Sequence, residues 1–244
     1  EGILQEMEQC PNSLLWLSEN GIKSHNPDVR GLHNDGCGMA YINSDGRVKS
    51  IRKGKTDFWD KSYHDFAAAV SSKLIIAHNR FASPGLNTIE NGAHPFIYNK
   101  FGKDYAFCHN GGVDTFMDEA KQRNTSDSEI FMEHLLNNMK HPGKTEVVDS
   151  LEKIATTTDY SSLCGFLMCD KNIYIWRIFN EKRKEDFDKL SRYYTLYMSI
   201  RSNYILIASE PLDEEKWLLI PNKQFLAISP SDNGIETWSY ALNV

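Results

Sequence analysis

The stretch Leu74–Gly112, LIIAHNRFASPGLNTIENGAHPFIYNKFGKDYAFCHNGG, decides how this chain is read. Two apolar runs, Leu74–Ala77 and Tyr105–Cys108, have the residue types of strands, and each ends in a polar cluster. The first cluster is His78-Asn79-Arg80; the second is His109-Asn110-Gly111-Gly112. A buried strand ending in Asn-Gly-Gly can aim a side-chain amide and backbone N–H groups at one point, as the stabilisation of a developing oxyanion requires. Asn-Gly and Gly-Gly are also common turn dipeptides, so on this cluster alone a hairpin turn is the simpler reading.

Outward from this stretch, the chain reads as mixed helix and strand. Gly2–Asn20 is helical with a break at Pro11, and Gly21–Gly36 is loop-like. A strand at Met39–Ile42, a turn at Asn43–Gly46 and a strand at Arg47–Arg52 make a hairpin, and Tyr63–Ser72 is a helix. The spacing of Ile130, Phe131, His134, Leu135 and Met139 predicts an amphipathic helix over Ile130–Met139, with Ser126 or Asp127 as its cap. In that reading SDSE is a capping sequence and nothing more. Val147–Ala155 follows as a helix. Strands are expected at Ser162–Met168, Ile173–Phe179, Tyr193–Ser199, Tyr204–Ala208, Trp217–Ile220 and Phe225–Ile228. Charged Glu181–Lys189 reads as a solvated turn. Strands before and after central helices imply a single α+β domain over 1–244.

Composition narrows the classes. The chain has 244 residues, enough for one sizeable core, with 41% apolar and 25% charged residues. A net charge of −6 argues against a general nucleic-acid binder. No apolar run has the length of a membrane span and no secretory signal is visible, so a cytoplasmic protein is expected. The five cysteines are odd in number and follow no framework spacing, which favours reduced thiols. Cys164 and Cys169 lack histidine neighbours at zinc-ligand spacing, so neither a metal nor any other cofactor is expected.

HNRFASPG, NGAHPF and FCHNGG, in that order, resemble the class II glutamine amidotransferases, and more narrowly the small stand-alone type. HNDGCG at His33–Gly38, SDSE at Ser126–Glu129 and ASEPLDEEKW at Ala208–Trp217 agree, so the likeness runs from about Gly31 to Ile228. The resemblance implies a four-layer αββα sandwich of the N-terminal-nucleophile hydrolases. It implies hydrolysis of the side-chain amide of glutamine through a thioester on a cysteine at the mature N-terminus, whose α-amino group is the base.

By position, Arg80 matches the arginine that pairs with the substrate α-carboxylate, and Ser83 the small hydroxyl residue beside it. Asn110 and Gly111 match the oxyanion hole, with His109 supporting the loop. Asp127 matches the carboxylate that holds the substrate α-ammonium. His94 falls near the pocket, where the residues themselves favour a hydrogen-bonded structural histidine. Cys37 stands where the stand-alone group usually has tryptophan, and Cys108 where it has a small apolar residue; both read as packing residues.

The resemblance also implies what is missing. Residue 1 is Glu1, which cannot form a thioester, and Cys10 is not terminal. Either a first, Cys-headed strand lies upstream of this sequence, or the chain is a noncatalytic glutamine- or γ-glutamyl-binding subunit. The expected ligand is glutamine or a γ-glutamyl amide. A synthase subunit that accepts the ammonia is a candidate partner; nucleic acid and membrane are not.

Overall fold

A computed structural model of the protein describes residues 5–21, 32–57, 59–83, 85–183, 187–231 and 233–244. After a π-type turn at Gln5–Gln9, the first elements are α1 (Leu14–Asn20), β1 (Gly36–Ile42), β2 (Val48–Gly54) and α2 (Lys61–Ala69). Then come β3 (Ile75–Asn79), β4 (Phe96–Lys100), β5 (Lys103–Asn110), α3 (Met117–Gln122), α4 (Asp127–Asn138) and α5 (Lys144–Thr157). The chain closes with β6 (Cys164–Cys169), β7 (Asn172–Arg177), α6 (Phe187–Tyr193), β8 (Tyr197–Ile200), β9 (Ile205–Ala208), β10 (Leu218–Leu219), β11 (Gln224–Ser231) and β12 (Gly234–Ala241).

Six strands form one antiparallel sheet in the order β12-β11-β7-β6-β5-β4. Local chemistry sets its hairpins. Phe101 and Gly102, at φ of 54° and 69°, link β4 to β5 with the two left-handed residues that a tight hairpin turn favours. Two smaller sheets, β2-β1-β3 and β10-β8-β9, lie against one face of the large sheet. Helices cover the outside of each layer, which completes the αββα sandwich expected from the resemblance.

Alternation along β5 decides what each face packs against. Tyr105 and Phe107 point to α4 and α5, joining Phe131, Leu135, Leu151 and Trp176 in the largest core cluster. Each such side chain contributes roughly 1.5–3 kcal/mol on full burial. Ala106 and Cys108 point the other way, against Ala40, Leu74, Ile76 and Met168. Small residues on this face let the two sheets approach closely. A third cluster, around Met39, Tyr63 and Ala67, seats α2 on the outer face of β1.

Several elements depart from the sequence expectations. The helical reading of Gly2–Asn20 resolves into the turn at Gln5–Gln9 and α1, and its first residues lie outside the described residues. The same is true of most of the Gly21–Gly36 loop. β3 does not stop at Ala77; it continues through His78 and Asn79, which pair with Gly38 and Cys37. β4, β12 and α3 were not expected. β4 exposes Ile97, Tyr98 and Asn99, and β12 is exposed along most of its length. Edge strands of this kind carry little burial signal and exist because a neighbour supplies the ladder. The charged Glu181–Lys189 segment runs into α6, whose Leu190 is buried, so the strand expected from Tyr193 begins only at Tyr197. Among the described residues, no helix is long and apolar enough to cross a membrane.

Candidate active site

β5 delivers the central polar residues. Cys108 and Asn110 share the face turned toward the smaller sheets, while His109 turns toward α4. The Asn110 side chain borders a cavity of about 570 Å³ and has no hydrogen bond to the described residues. Gly111 follows at φ +153°, and a Cβ there would meet the Ser162 carbonyl oxygen and ring nitrogen Nε2 of His109. Only glycine fits this bend. Gly112 N–H donates to Ser161 Oγ (3.0 Å) and Val113 N–H to Asp127 Oδ2 (2.8 Å). Among the described residues the Gly111 N–H has no protein acceptor, and it lies next to Asn110 in the chain.

The residues behind this loop hold its peptides in place. Ser162 Oγ lies 3.0 Å from both the Asn110 and the Ile178 carbonyls and shares its one hydrogen between them. In a trans peptide the carbonyl and the following N–H point in opposite directions, so the contact at Asn110 turns the Gly111 N–H away from Ser162. His109 Nε2 lies 3.0 Å from the Ser162 carbonyl, which can only accept, so Nε2 carries the proton. Nδ1 then accepts from Ser128 Oγ (2.9 Å). Burial lowers the His109 pKa, against the opposing pull of Asp127, consistent with that neutral tautomer.

Arg80 and Asp127 border the same cavity, as do Ser83 and His94. Arg80 is buried and donates to the Asn87 carbonyl (2.6 Å). Burial pulls its pKa down, while Asp127 and Asp35 favour its charge. Asp127 lies in the first turn of α4, behind the cap that Ser126 supplies to Glu129 N–H (3.3 Å). The cap reading of Ser126 and the cavity position of Asp127 therefore hold together. The structure thus brings all seven expected site residues to one place.

His94 is buried as expected but is not hydrogen-bonded. Among the described residues neither ring nitrogen has a hydrogen-bond partner, and a tilted contact with His78 and an edge contact with Phe96 hold the ring, at 4.3 Å and 4.8 Å between centroids. Burial and then neighbouring His78 hold it well below the ordinary histidine range, so it is neutral. Cys37 and Cys108 are buried packing residues, also as expected. Burial pushes the Cys37 thiol up to about 11 and the Cys108 thiol further, so neither is a ready thiolate.

Sequence reasoning missed the residues that brace the site. Asp35 accepts from Lys55 Nζ (2.8 Å) and from Ala82 N–H (3.0 Å), and its own N–H donates to the Arg80 carbonyl (2.9 Å), so it pins the backbone on either side of Phe81. Its place in HNDGCG was a usable signal. Ser128, inside SDSE, had the same kind of signal; Ser161, Ser162 and Tyr194 gave none, because each acts on the loop from a distant part of the chain.

The cavity extends from Asn110 into a slot between two sheets. Every residue from Ile75 to Asn79 in β3 borders it, and every residue from Ile205 to Ala208 in β9. Successive strand side chains alternate, so a cavity touching all of them runs along the strand edges. β3 pairs with β1 and β9 with β8, which leaves one edge of each facing the slot. Met7, Leu14 and Leu17 border the slot from the outer layer, and Cys108 and Phe166 from the large sheet.

Comparison with known proteins agrees with this geometry. Residues 20–232 match the family described as glutamine amidotransferases class-II. A putative glutamine amidotransferase of Haemophilus influenzae is 24% identical over 226 residues, covering 80% of this chain and 73% of that protein. The fold is similar to glutamine phosphoribosylpyrophosphate amidotransferase from B. subtilis, with a TM-score of 0.60 and 17% identity over 86% of this chain. This chain spans 44% of that enzyme's length. A glutamine aminotransferase class-II domain protein from Silicibacter pomeroyi gives a TM-score of 0.59 at 18% identity, over 84% of this chain and 91% of that one. With nearly the whole described fold inside the matched region and the motif residues gathered at one cavity, this chain belongs to the class II glutamine amidotransferases.

Proposed function

We propose that the protein hydrolyses the side-chain amide of glutamine or of a γ-glutamyl compound, using a cysteine at the head of a strand that precedes Glu1. The observation that carries this reading is the slot. Its two strand edges, which pair with no strand among the described residues, its apolar walls and its polar end at Asn110 and Gly111 suit one extended segment with a reactive first residue. β3 reaches the polar end at His78–Arg80, and β9 reaches it at Ser209, whose carbonyl accepts from Thr195 Oγ1. A strand whose first residue lay there would run antiparallel to both neighbours and complete their ladders.

In this reading Arg80 takes the substrate α-carboxylate and Asp127 its α-ammonium, with Ser83 beside the carboxylate. The thiolate attacks the amide carbon, and the C=O electron pair moves onto oxygen, which faces the Asn110 amide and the Gly111 N–H. Collapse of this adduct expels ammonia, or the amine of a γ-glutamyl compound, with the proton taken from the thiol by the α-amino group. Water then cleaves the thioester to glutamate and free thiol. The ammonia passes to a synthase partner, or cleavage of a γ-glutamyl amide is itself the purpose.

The test uses the protein with its natural N-terminus, treated with the diazoketone analogue of glutamine and mapped by mass spectrometry. The expected result is one label, on a cysteine at the mature N-terminus. A label on Cys10, Cys37, Cys108 or Cys164 would refute the assignment. Glutamine binding with neither labelling nor hydrolysis would establish a noncatalytic binding subunit instead.

A further inference from the structure

We infer that Tyr194 is a positioning residue for the oxyanion loop, acting through Ser161. This rests on the reading of Asn110 and Gly111 as the oxyanion site. Ser161 holds the two peptides that flank the Gly112 Cα: its N–H donates to the Gly112 carbonyl (2.8 Å), and its Oγ accepts from Gly112 N–H (3.0 Å) and lies 3.3 Å from the Gly112 carbonyl. A serine hydroxyl can rotate, so by itself it fixes little. Here the Tyr194 hydroxyl lies 3.0 Å from Ser161 Oγ and occupies a second of its bonding directions.

Tyr194 is in turn held without slack. It directly follows α6, and its N–H closes the last turn on the Leu190 carbonyl (2.9 Å). Arg177, itself buried, donates from Nε to the Tyr194 carbonyl (2.7 Å). Its other nitrogens donate to the carbonyls of Ser191 (3.0 Å) and Ile220 (2.8 Å). One guanidinium thus ties the end of α6 to β7 and to the residue after β10. The line Arg177–Tyr194–Ser161–Gly112 carries the rigidity of the large sheet, through the end of β7, into the loop that presents the Gly111 N–H. Ser162 fixes the preceding peptide from the adjacent position. Tyr194 borders the cavity, but its hydroxyl is engaged by Ser161 Oγ, and in this inference its effect is the aim of a donor.

The experiment compares Tyr194→Phe, Ser161→Ala, the double variant and Asn110→Ala in the full-length protein with its natural N-terminus, measuring kcat and KM for glutamine and thermal melting. Misplacing a donor by a fraction of an ångström is expected to lower kcat roughly 10- to 100-fold in either single variant, with KM nearly unchanged. Because the two hydroxyls act in series, the double variant should be no slower than the worse single one. An unchanged kcat in Tyr194→Phe, or multiplying losses in the double variant, would overturn the inference. If Asn110→Ala also kept full turnover, the oxyanion assignment itself would fall. If Asn110→Ala lost turnover while Tyr194→Phe did not, only the role of Tyr194 would fall. Should Tyr194→Phe melt too low to assay, Ser161→Ala, which keeps the α6 clamp, carries the same kcat criterion.

Discussion

In the large sheet the pairing runs unbroken from β12 across to β4; in the layer facing it, pairing runs β2-β1-β3, stops, and resumes at β9-β8-β10. The large sheet has a dry aromatic core on its helix side, with Phe107, Phe131, Trp176 and Phe225 in edge and stacked contacts. The facing layer borders a cavity along two strand edges. The difference separates two tasks. The closed half fixes donor positions to within hydrogen-bond tolerance, whereas the interrupted half is where the reacting group is proposed to enter.

Truncations on the two sides should therefore differ most. Phe131→Ala empties a fully buried site between Phe107 and Trp176 and should cost about 3–5 kcal/mol, read from denaturant unfolding. Ile207→Ala, half-buried beside the slot, should cost less than about 2 kcal/mol. Equal losses would mean that the interrupted layer is as tightly closed as the large sheet. Next in size is Asn110→Ala, expected to lower kcat roughly 10²- to 10³-fold while KM for glutamine holds. A rise in KM alone would show that Asn110 binds the ground state and that the closed half does not present the oxyanion donors.

Arg80→Lys tests the substrate clamp at the border between the two halves. Replacing a guanidinium fork by a point charge removes one charged hydrogen bond, about 1.5–3 kcal/mol, so KM should rise roughly 10- to 100-fold with kcat little changed. The smallest effect is on pH. Burial holds His94 and His109 neutral in the folded protein, with pKa values below the ordinary range. The unfolded chain therefore binds protons first as pH falls. Stability is complete above about pH 6.5 and is lost below it, by at most about 1.4 kcal/mol per pH unit for each group. Melting curves between pH 7.5 and 5 should show this slope, and His94→Gln should reduce it. A slope unchanged by that substitution would remove His94 from the account.

Much of the site was legible because its residues lie within one short stretch. Asn110-Gly111 could be read as a donor pair because the bend needs glycine and the preceding residue needs an amide. Asp127 was harder: beside Ser126 it reads as capping chemistry, and the structure gives it both a place in the first helical turn and a bond to Val113. His94 read as a hydrogen-bonded residue because buried polar groups are usually satisfied. Its tilted and edge contacts with His78 and Phe96 depend on rings brought together by two different strands. β4 and β12 were illegible because exposed edge strands take their order from a neighbour's ladder and not from their own apolar pattern.

Sequence alone determined the mixed helix-and-strand class, through periodicity, and the family, through ordered local motifs whose resemblance also pointed to the polar residues now gathered at one cavity. Tertiary structure alone decided that Ser161, Ser162 and Tyr194 brace the loop from more than forty residues downstream, and that β3 and β9 turn open edges to one slot. Hydrogen bonds between distant segments and unpaired strand edges have no local sequence signature, because each is a relation between surfaces that only packing brings face to face.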